Sequence, residues 1–375
     1  MKVLIVAESF LPQLDGVSIF TTEVLAMLGK DFDLNFLVPA YTREKEYRGI
    51  PITTMPVFKP IKLKAGNDYY LAIPRIFKIL AMVRKTDVVF LQSIQFLGIG
   101  SIIAAKIAKK PVIVYFHQYN WEQIEYLIPG PKWFKRFSKQ LVFFLTRFFY
   151  NRCDLILVPS EQVNDKLAEL DFNTRKMVVP MGIDPEKFKA PLSKARVKKA
   201  VGLKNTMVIG YCGRLSREKD IETLIAAFKK LTKKHKLQLL LVGATANETI
   251  SGRNIRVTGF QKDVVPYYQA MDIFVSPSFT ETTGLSIIEA MSCALPIVTT
   301  PVGIALTGIS SGYNGLIFSK QSVEELVGHL ETLIKSRKLR QKMGENARTT
   351  ILEKYTYKDT IGQIQTILKS VIPET

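Results

Sequence analysis

An alternation of short apolar runs with helical patterns, carried through the chain twice, most constrains what this sequence can fold into. Val3–Ala7, Leu34–Pro39, Val88–Gln92, Val112–Phe116, Leu155–Pro159 and Met177–Pro180 have the character of buried strands, each separated from the next by helical or turn-rich sequence. Strands that are apolar throughout belong to parallel sheets covered by helices on both faces. Met181-Gly182-Ile183-Asp184-Pro185 and a polar, basic stretch to about Lys199 then form the best candidate linker. The alternation restarts with strands predicted at Met207–Cys212, Gln238–Gly243, Ile255–Gly259, Ile273–Ser276 and Ile297–Thr299. Helices are predicted at Ile221–His235, Asp263–Ala270, Gly284–Cys293 and Val323–Lys335, with a last one from about Tyr357 to Ile372. Two α/β units in tandem make a cleft between domains the natural ligand site.

Composition narrows the class. At 375 residues, 47% hydrophobic and 23% charged, the chain is globular and long enough for two cores. A formal net charge of +19 points to a polyanionic partner: nucleic acid, an anionic membrane face or a phosphorylated substrate. A generally basic surface is the plainer explanation. Cys153, Cys212 and Cys293 are far apart without metal-ligand spacing, and His117, His235 and His329 are the only histidines. No metal site is expected, and the cysteines fit small core residues in a reducing, cytoplasmic compartment. Residues 3–7 are too short for a signal-peptide core and Glu8 follows at once. No uncharged apolar run of about 20 residues spans a bilayer.

Two stretches carry candidate chemistry. Residues 210–220 link a strand to an amphipathic helix, the place where parallel α/β sheets bind phosphate. There Arg214 offers a planar fork of donors and Lys219 a point charge, a combination suited to a diphosphate. Taken alone, both fit better as solvated loop residues, which are common in so basic a chain. Residues 278–298 hold Glu281 and Glu289 around Thr282-Thr283-Gly284-Leu285. Glu281 is expected in a loop and Glu289 inside a helix, with the backbone of Thr283, Gly284 and Leu285 at an anion-friendly helix start. Ser286-Ile287-Ile288-Glu289 also fits a capping box, in which Glu289 merely closes the helix end. A glycosidase-type carboxylate pair ranks low, because both acids lie on one loop–helix unit beside phosphate donors.

These motifs together resemble the signature of the family-4 glycosyltransferases, which have the GT-B fold. Arg214 and Lys219 are followed by Glu281-x7-Glu289 and by Glu289-Ala290-Met291-Ser292-Cys293-Ala294-Leu295-Pro296-Ile297-Val298. Asp15-Gly16-Val17, Val158-Pro159-Ser160 and Val179-Pro180-Met181-Gly182-Ile183-Asp184 agree in order, so the resemblance runs through essentially the whole chain. It implies an α/β GT-B fold of two Rossmann-like domains with an inter-domain cleft. Residues 1–185 would bind the acceptor, 199–355 the nucleotide sugar, and the last helix, 357–372, would pack back on the first domain. It further implies transfer from a nucleotide diphosphate sugar with retention, without a metal, by front-side displacement in which the departing phosphate helps deprotonate the acceptor. Arg214 and Lys219 would bind the diphosphate, Glu289 the ribose, and Glu281 with the backbone of Thr283–Leu285 the sugar. Gly16 would bring a first-domain loop to the phosphates, and His117 would lie near sugar and acceptor. Asp31-Phe32-Asp33, a D-x-D sequence, sits between a helix and a strand, where a surface turn is the better reading.

Departures from the family pattern bear on sugar preference. Glu281-Thr282-Thr283-Gly284 stands where Glu-Gly-Phe-Gly is common, and Asp220 and Ala294 stand where glycine is common. The Glu-Thr-x-Gly form resembles some lipid glucosyltransferases of the family. A glutamate common after the Pro-x-Gly stretch is absent around Pro301-Val302-Gly303. A uridine diphosphate sugar such as glucose is the first choice of donor and guanosine diphosphate mannose the second.

The acceptor is indicated by a basic, aromatic segment. In residues 131–152 the only charges are Lys132, Lys135, Arg136, Lys139, Arg147 and Arg152, while Trp133, Phe137, Leu141, Phe144 and Phe148 share one helical stripe. Such a helix lies in a membrane interface on anionic headgroups, or packs part of its stripe into the first domain's core. Lys62 and Lys64 belong to a second basic–apolar stretch, otherwise an exposed loop. Expected partners are therefore the nucleotide sugar, an anionic membrane surface on the cytosolic side and a lipid acceptor. A soluble sugar or sugar-phosphate acceptor is the runner-up. A nucleotide-sugar epimerase would need more histidines around the sugar, and a nucleic-acid binder would leave the glutamate pair without purpose.

Overall fold

The computed structural model describes residues 1–12, 15–41, 44–58, 61–62, 68–69, 71–122, 130–243 and 250–371. The chain divides into two compact units, residues 1–180 with 360–375, and residues 181–359.

In the first unit β1 (Lys2–Val6) leads through α1 (Gly16–Ile19) and two tighter or wider helical turns to β2 (Asp33–Pro39). Next come β3 (Glu46–Tyr47), β4 (Ile50–Met55) and the separate pair β5 (Ile61–Lys62) and β6 (Asp68–Tyr69). Then α2 (Ile76–Val83), β7 (Val88–Leu91), α3 (Phe96–Ala108), β8 (Val112–Tyr115), α4 (Lys132–Tyr150), β9 (Leu155–Val158), α5 (Glu161–Glu169) and β10 (Lys176–Val178) follow. The sheet order is β10-β9-β8-β7-β1-β2-β4-β3, parallel except for β3 against β4. Every residue of β7, β8 and β9 is buried, which is why these strands are continuous apolar runs. Strand β4 contains Pro51 and two threonines and carried no such signal.

The second unit comprises α6 (Lys194–Ala200), β11 (Met207–Cys212), α7 (Ile221–Leu231), β12 (Leu237–Val242), β13 (Ile255–Val257), α8 (Val265–Ala270) and β14 (Ile273–Ser276). It continues with α9 (Leu285–Ser292), β15 (Ile297–Thr299), α10 (Ala305–Gly308), β16 (Gly315–Ile317), α11 (Val323–Lys335) and α12 (Arg337–Lys354). Its all-parallel sheet runs β13-β12-β11-β14-β15-β16. One face buries α8, α9 and part of α12, the other α7 and α11. The stretch expected as a linker is partly built into this unit. Ile183 pairs with Thr356, Ile183 and Phe188 enter the core, and Ser193 caps α6.

The last helix, α13 (Tyr357–Val371), passes from the second unit into the first. Within the first unit Thr360 Oγ1 donates to the Pro180 carbonyl and Gln365 Nε2 to Asp31 Oδ2 at 2.6 Å. Asp31 is thus a turn residue engaged by a helix, and Phe32 beside it is buried.

Glu8 lies just beyond β1 and is 7% exposed. Its Oε1 accepts from the Leu97 and Gly98 amides at 2.6 and 3.1 Å, at the start of α3. Burial still pushes its pKa from 4.5 up to about 7 against those two hydrogen bonds. An acid raised in the folded state gives full stability below its unfolded pKa and loses it as pH rises through the folded one. Glu8→Gln keeps the acceptor without the charge. It is expected to match the natural chain near pH 4.5 and to exceed it by about 3 kcal/mol at pH 8. Urea unfolding at the two pH values checks this; an equal difference at both would contradict it.

Candidate active site

In the second sheet the strand order reverses between neighbours β11 and β14, the position at which parallel α/β sheets place their ligands. The loop after β11 carries Arg214 and Lys219, and the loop after β14 carries Glu281. Two bonds draw these loops together. The Phe279 amide donates to the Glu218 carbonyl at 2.9 Å, and Lys219 Nζ lies 2.7 Å from Glu281 Oε1. The two charged side chains are only 15% and 14% exposed. Ser278 Oγ donates to the same carboxylate oxygen at 2.9 Å. Glu281, which the sequence left without a partner, is thereby fixed from two sides. Arg214 is two-thirds exposed, with its Nη2 3.6 Å from Glu218 Oε1.

Gly303, at φ +56°, makes the glutamate loop possible. A Cβ there would stand 2.8 Å from the Thr283 carbonyl oxygen and 2.9 Å from Glu281 Cβ. The neighbouring Ile304 amide donates to that carbonyl. Thr283 is buried with its hydroxyl toward Met181 Sδ, so its side chain is turned into the unit's interior.

Helix α9 starts differently from the capping-box expectation. Its N-cap is Gly284 in the left-handed region, at φ +79°, and no side chain caps it. Ser286 lies inside the helix, and Glu289 Oε2 accepts instead from the Tyr268 hydroxyl at 2.5 Å. Glu289 is half-buried, and desolvation pushes its pKa up to about 7, opposed by Tyr268 and by Lys187. The helix start thus offers uncapped amide donors, with a carboxylate acceptor one helical turn on. Asp220 and Ala294, which replace glycines of the family pattern, are both left-handed, at φ +47° and +56°. Thr223 bonds the Asp220 carboxylate at 2.7 Å and steadies that conformation.

The first sheet reverses its order between β1 and β7. Glu8 follows β1, Gln92 follows β7, and His117 lies just beyond β8. His117 Nε2 is 3.1 Å from Gln92 Oε1, and its ring sits among Phe20 and Tyr115. Desolvation pushes its pKa down to about 3, so the half-buried imidazole is neutral. Gly16 opens α1, which Asp15 caps through a reciprocal bond with Ser18. Glu8 and Tyr268 are the groups the sequence reading missed. A lone acid directly after an apolar strand was a usable signal for Glu8, whereas nothing local marks Tyr268.

Helix α4 carries the other candidate surface. Trp133, Phe137, Leu141, Phe144 and Phe148 are all exposed, at 71%, 59%, 45%, 53% and 38%. The helix turns Ser138, Thr146 and Tyr150 inward, with Val142, Phe143 and Phe149 against the core. Its aromatic stripe is therefore the outward face, contrary to the expectation that part of it is core. Lys132 and Arg136 are exposed, Lys135 and Lys139 half-buried, and the helix contains no acidic residue. The same helical layer turns Phe77 of α2 and Ile103 and Ile107 of α3 outward. Lys62 lies in β5, its side chain outside the described residues, and Lys64 lies outside them altogether. Among the described residues no helix is long and apolar enough to cross a membrane, and no cluster of acids, histidines and cysteines is placed to hold a metal.

Residues 193–350 match the family described as Glycosyl transferases group 1, and residues 14–187 that described as Glycosyltransferase Family 4. Alpha-monoglucosyldiacylglycerol synthase from Acholeplasma laidlawii is 25% identical over 372 residues, covering 92% of this chain and 92% of that protein. The capsular polysaccharide biosynthesis glycosyltransferase CapM from Staphylococcus aureus is 25% identical over 295 residues, covering 74% and 75%. The crystal structure of HepE from Anabaena in complex with UDP-glucose shares the fold, with a TM-score of 0.77 at 19% identity over 99% of this chain and 100% of that one. Two consecutive family matches, paired parallel sheets and relatives aligned along nearly the full length agree: the chain belongs to the family-4 glycosyltransferases and has the GT-B fold.

Proposed function

We propose that this enzyme transfers a hexosyl group from a nucleotide diphosphate sugar to a lipid or lipid-linked acceptor while bound peripherally to the cytosolic face of a membrane. The outward aromatic and basic face of α4 carries the reading. Five bulky apolar side chains left in water on a helix without acidic residues suit an anionic lipid interface. The alpha-monoglucosyldiacylglycerol synthase relative is named for a lipid product, which supports the same acceptor class.

In this reading Arg214 and Lys219 neutralise the diphosphate, Glu289 takes the ribose hydroxyls, and Glu281 with the 283–285 backbone faces the sugar. The bond from the anomeric carbon to phosphate oxygen breaks, and the acceptor oxygen forms its bond on the same face. Bond making on the face that the phosphate leaves retains the configuration, and the acceptor's proton passes to the departing phosphate. Neutral His117 acts as a hydrogen-bonding group beside sugar and acceptor. UDP-glucose is the first donor to try and GDP-mannose the second.

The test is a panel of radiolabelled nucleotide sugars, with and without anionic vesicles containing diacylglycerol or other candidate lipids. Label is expected in the lipid fraction and only when vesicles are present. Robust transfer to a free sugar with none to any lipid would overturn the acceptor assignment.

A further inference from the structure

Tyr268 is fully buried, yet it carries a hydroxyl that reaches Glu289 Oε2 at 2.5 Å. Its ring is clamped by Phe188 and Phe274, with centroids 6.2 and 5.8 Å away, so the hydroxyl has little freedom to move. The Cys212 thiol at the end of β11 lies beside the same hydroxyl. A line of groups therefore runs from a strand end, through a fixed phenol, to one oxygen of the carboxylate on α9. We infer that Tyr268 is a positioning residue for the donor: it holds one oxygen of Glu289 so that the other is presented to the nucleotide's ribose hydroxyls.

The inference rests on the ribose assignment of Glu289 made above. A carboxylate one turn into a helix has several rotamers, and a fixed donor on one oxygen selects one of them before the ligand arrives. The phenol also favours the ionised carboxylate, because it donates to it. The groups facing Glu289 are Tyr268 on α8, Cys212 on β11, Cys293 just past the end of α9 and Lys187 ahead of α6. Of these, Lys187 and Tyr268 lower the Glu289 pKa and desolvation raises it. Loss of the hydroxyl therefore moves the titration of Glu289 upward, and donor binding that needs the ionised form moves with it.

Tyr268→Phe removes one oxygen and keeps the ring. The probe is UDP-glucose, with GDP-mannose in parallel, because the terminal phosphate of a free nucleoside diphosphate itself titrates near neutrality. Across pH 6 to 9 the variant is expected to bind the tighter-binding donor about tenfold more weakly near pH 7. The pH midpoint of binding should rise, and kcat should stay within about twofold while KM for the donor increases. In a Glu289→Ala background, where no carboxylate is left to position, adding Tyr268→Phe should change donor affinity less than about twofold, since the two act as one unit. That comparison also serves if the single variant folds poorly. If Glu289→Ala weakens donor binding while Tyr268→Phe leaves affinity and pH midpoint untouched, or if the two losses add in full, Tyr268 is packing only. Normal donor affinity in Glu289→Ala would instead sink the ribose assignment itself.

Discussion

Lys219→Met is expected to slow sugar transfer by about two to three orders of magnitude, the loss typical of removing a charge-stabilising donor from a reaction centre. The same change should lower the unfolding free energy of the chain by about 3 kcal/mol, because it leaves the Glu281 carboxylate almost enclosed and without its cation. Both side chains are about 15% exposed and 2.7 Å apart, so solvent screens little of the pair. The two effects separate in the double variant Lys219→Met, Glu281→Gln. With neither charge present, stability should return to within about 1 kcal/mol of the natural chain, while transfer stays low. Urea unfolding and transfer from radiolabelled UDP-glucose measure the two quantities. Recovery of transfer in the double variant would show that Lys219 serves to neutralise Glu281, and the diphosphate assignment would fall.

The second large effect is expected at the membrane. Trp133, Phe137 and Phe144 all project outward from α4, so replacing them by serine removes no core packing. If each inserts into an interface, the triple variant loses about 5 kcal/mol of apolar burial, or more than a thousandfold in vesicle partitioning. Vesicle sedimentation with anionic lipid should show the loss, and transfer to a lipid acceptor should fall with it. Thermal unfolding should be nearly unchanged, because exposed side chains contribute little to the fold. Reversing Lys132 and Arg136 to glutamate should weaken binding further at low salt and much less at high salt. Vesicle binding that survives the triple variant would remove α4 as the docking face.

Most strands of both sheets were legible because parallel strands buried on both faces must be apolar at nearly every position; β3, β4 and β16, at or next to sheet edges, were not. Helices such as α7 and α11 were legible for a related reason, since each pairs one apolar face with a charged one. Helix α12 escaped notice although it is 18 residues long. Its buried positions are Met343, Gly344, Ala347 and Ile351, and two of the four are small. Gly344 is small because a Cβ there would stand 2.2 Å from the Ala294 carbonyl oxygen. Close approach replaced hydrophobic bulk, and periodicity was lost with it.

The glutamate pair shows the same division at the site. Local spacing placed Glu289 in a helix beside a serine and made a capping box plausible. Its hydrogen-bond partner comes from 21 residues upstream in the chain, on α8, and a local pattern carries no trace of such a partner. Glu281 likewise finds Lys219 62 residues away because β11 and β14 are neighbours in the sheet. For α4 the amphipathic stripe was evident, but not which side the protein would keep.

The sequence by itself determined the class of fold, the two parallel sheets and the loops that carry charge at their strand ends, because burial and backbone pairing write those features into local composition. Only the tertiary structure decided that Lys219 answers Glu281, that Tyr268 holds Glu289, and that the aromatic side of α4 faces outward. Those outcomes depend on which strands become neighbours and which helix face a finished core has room for, and neither is a property of any one stretch of chain.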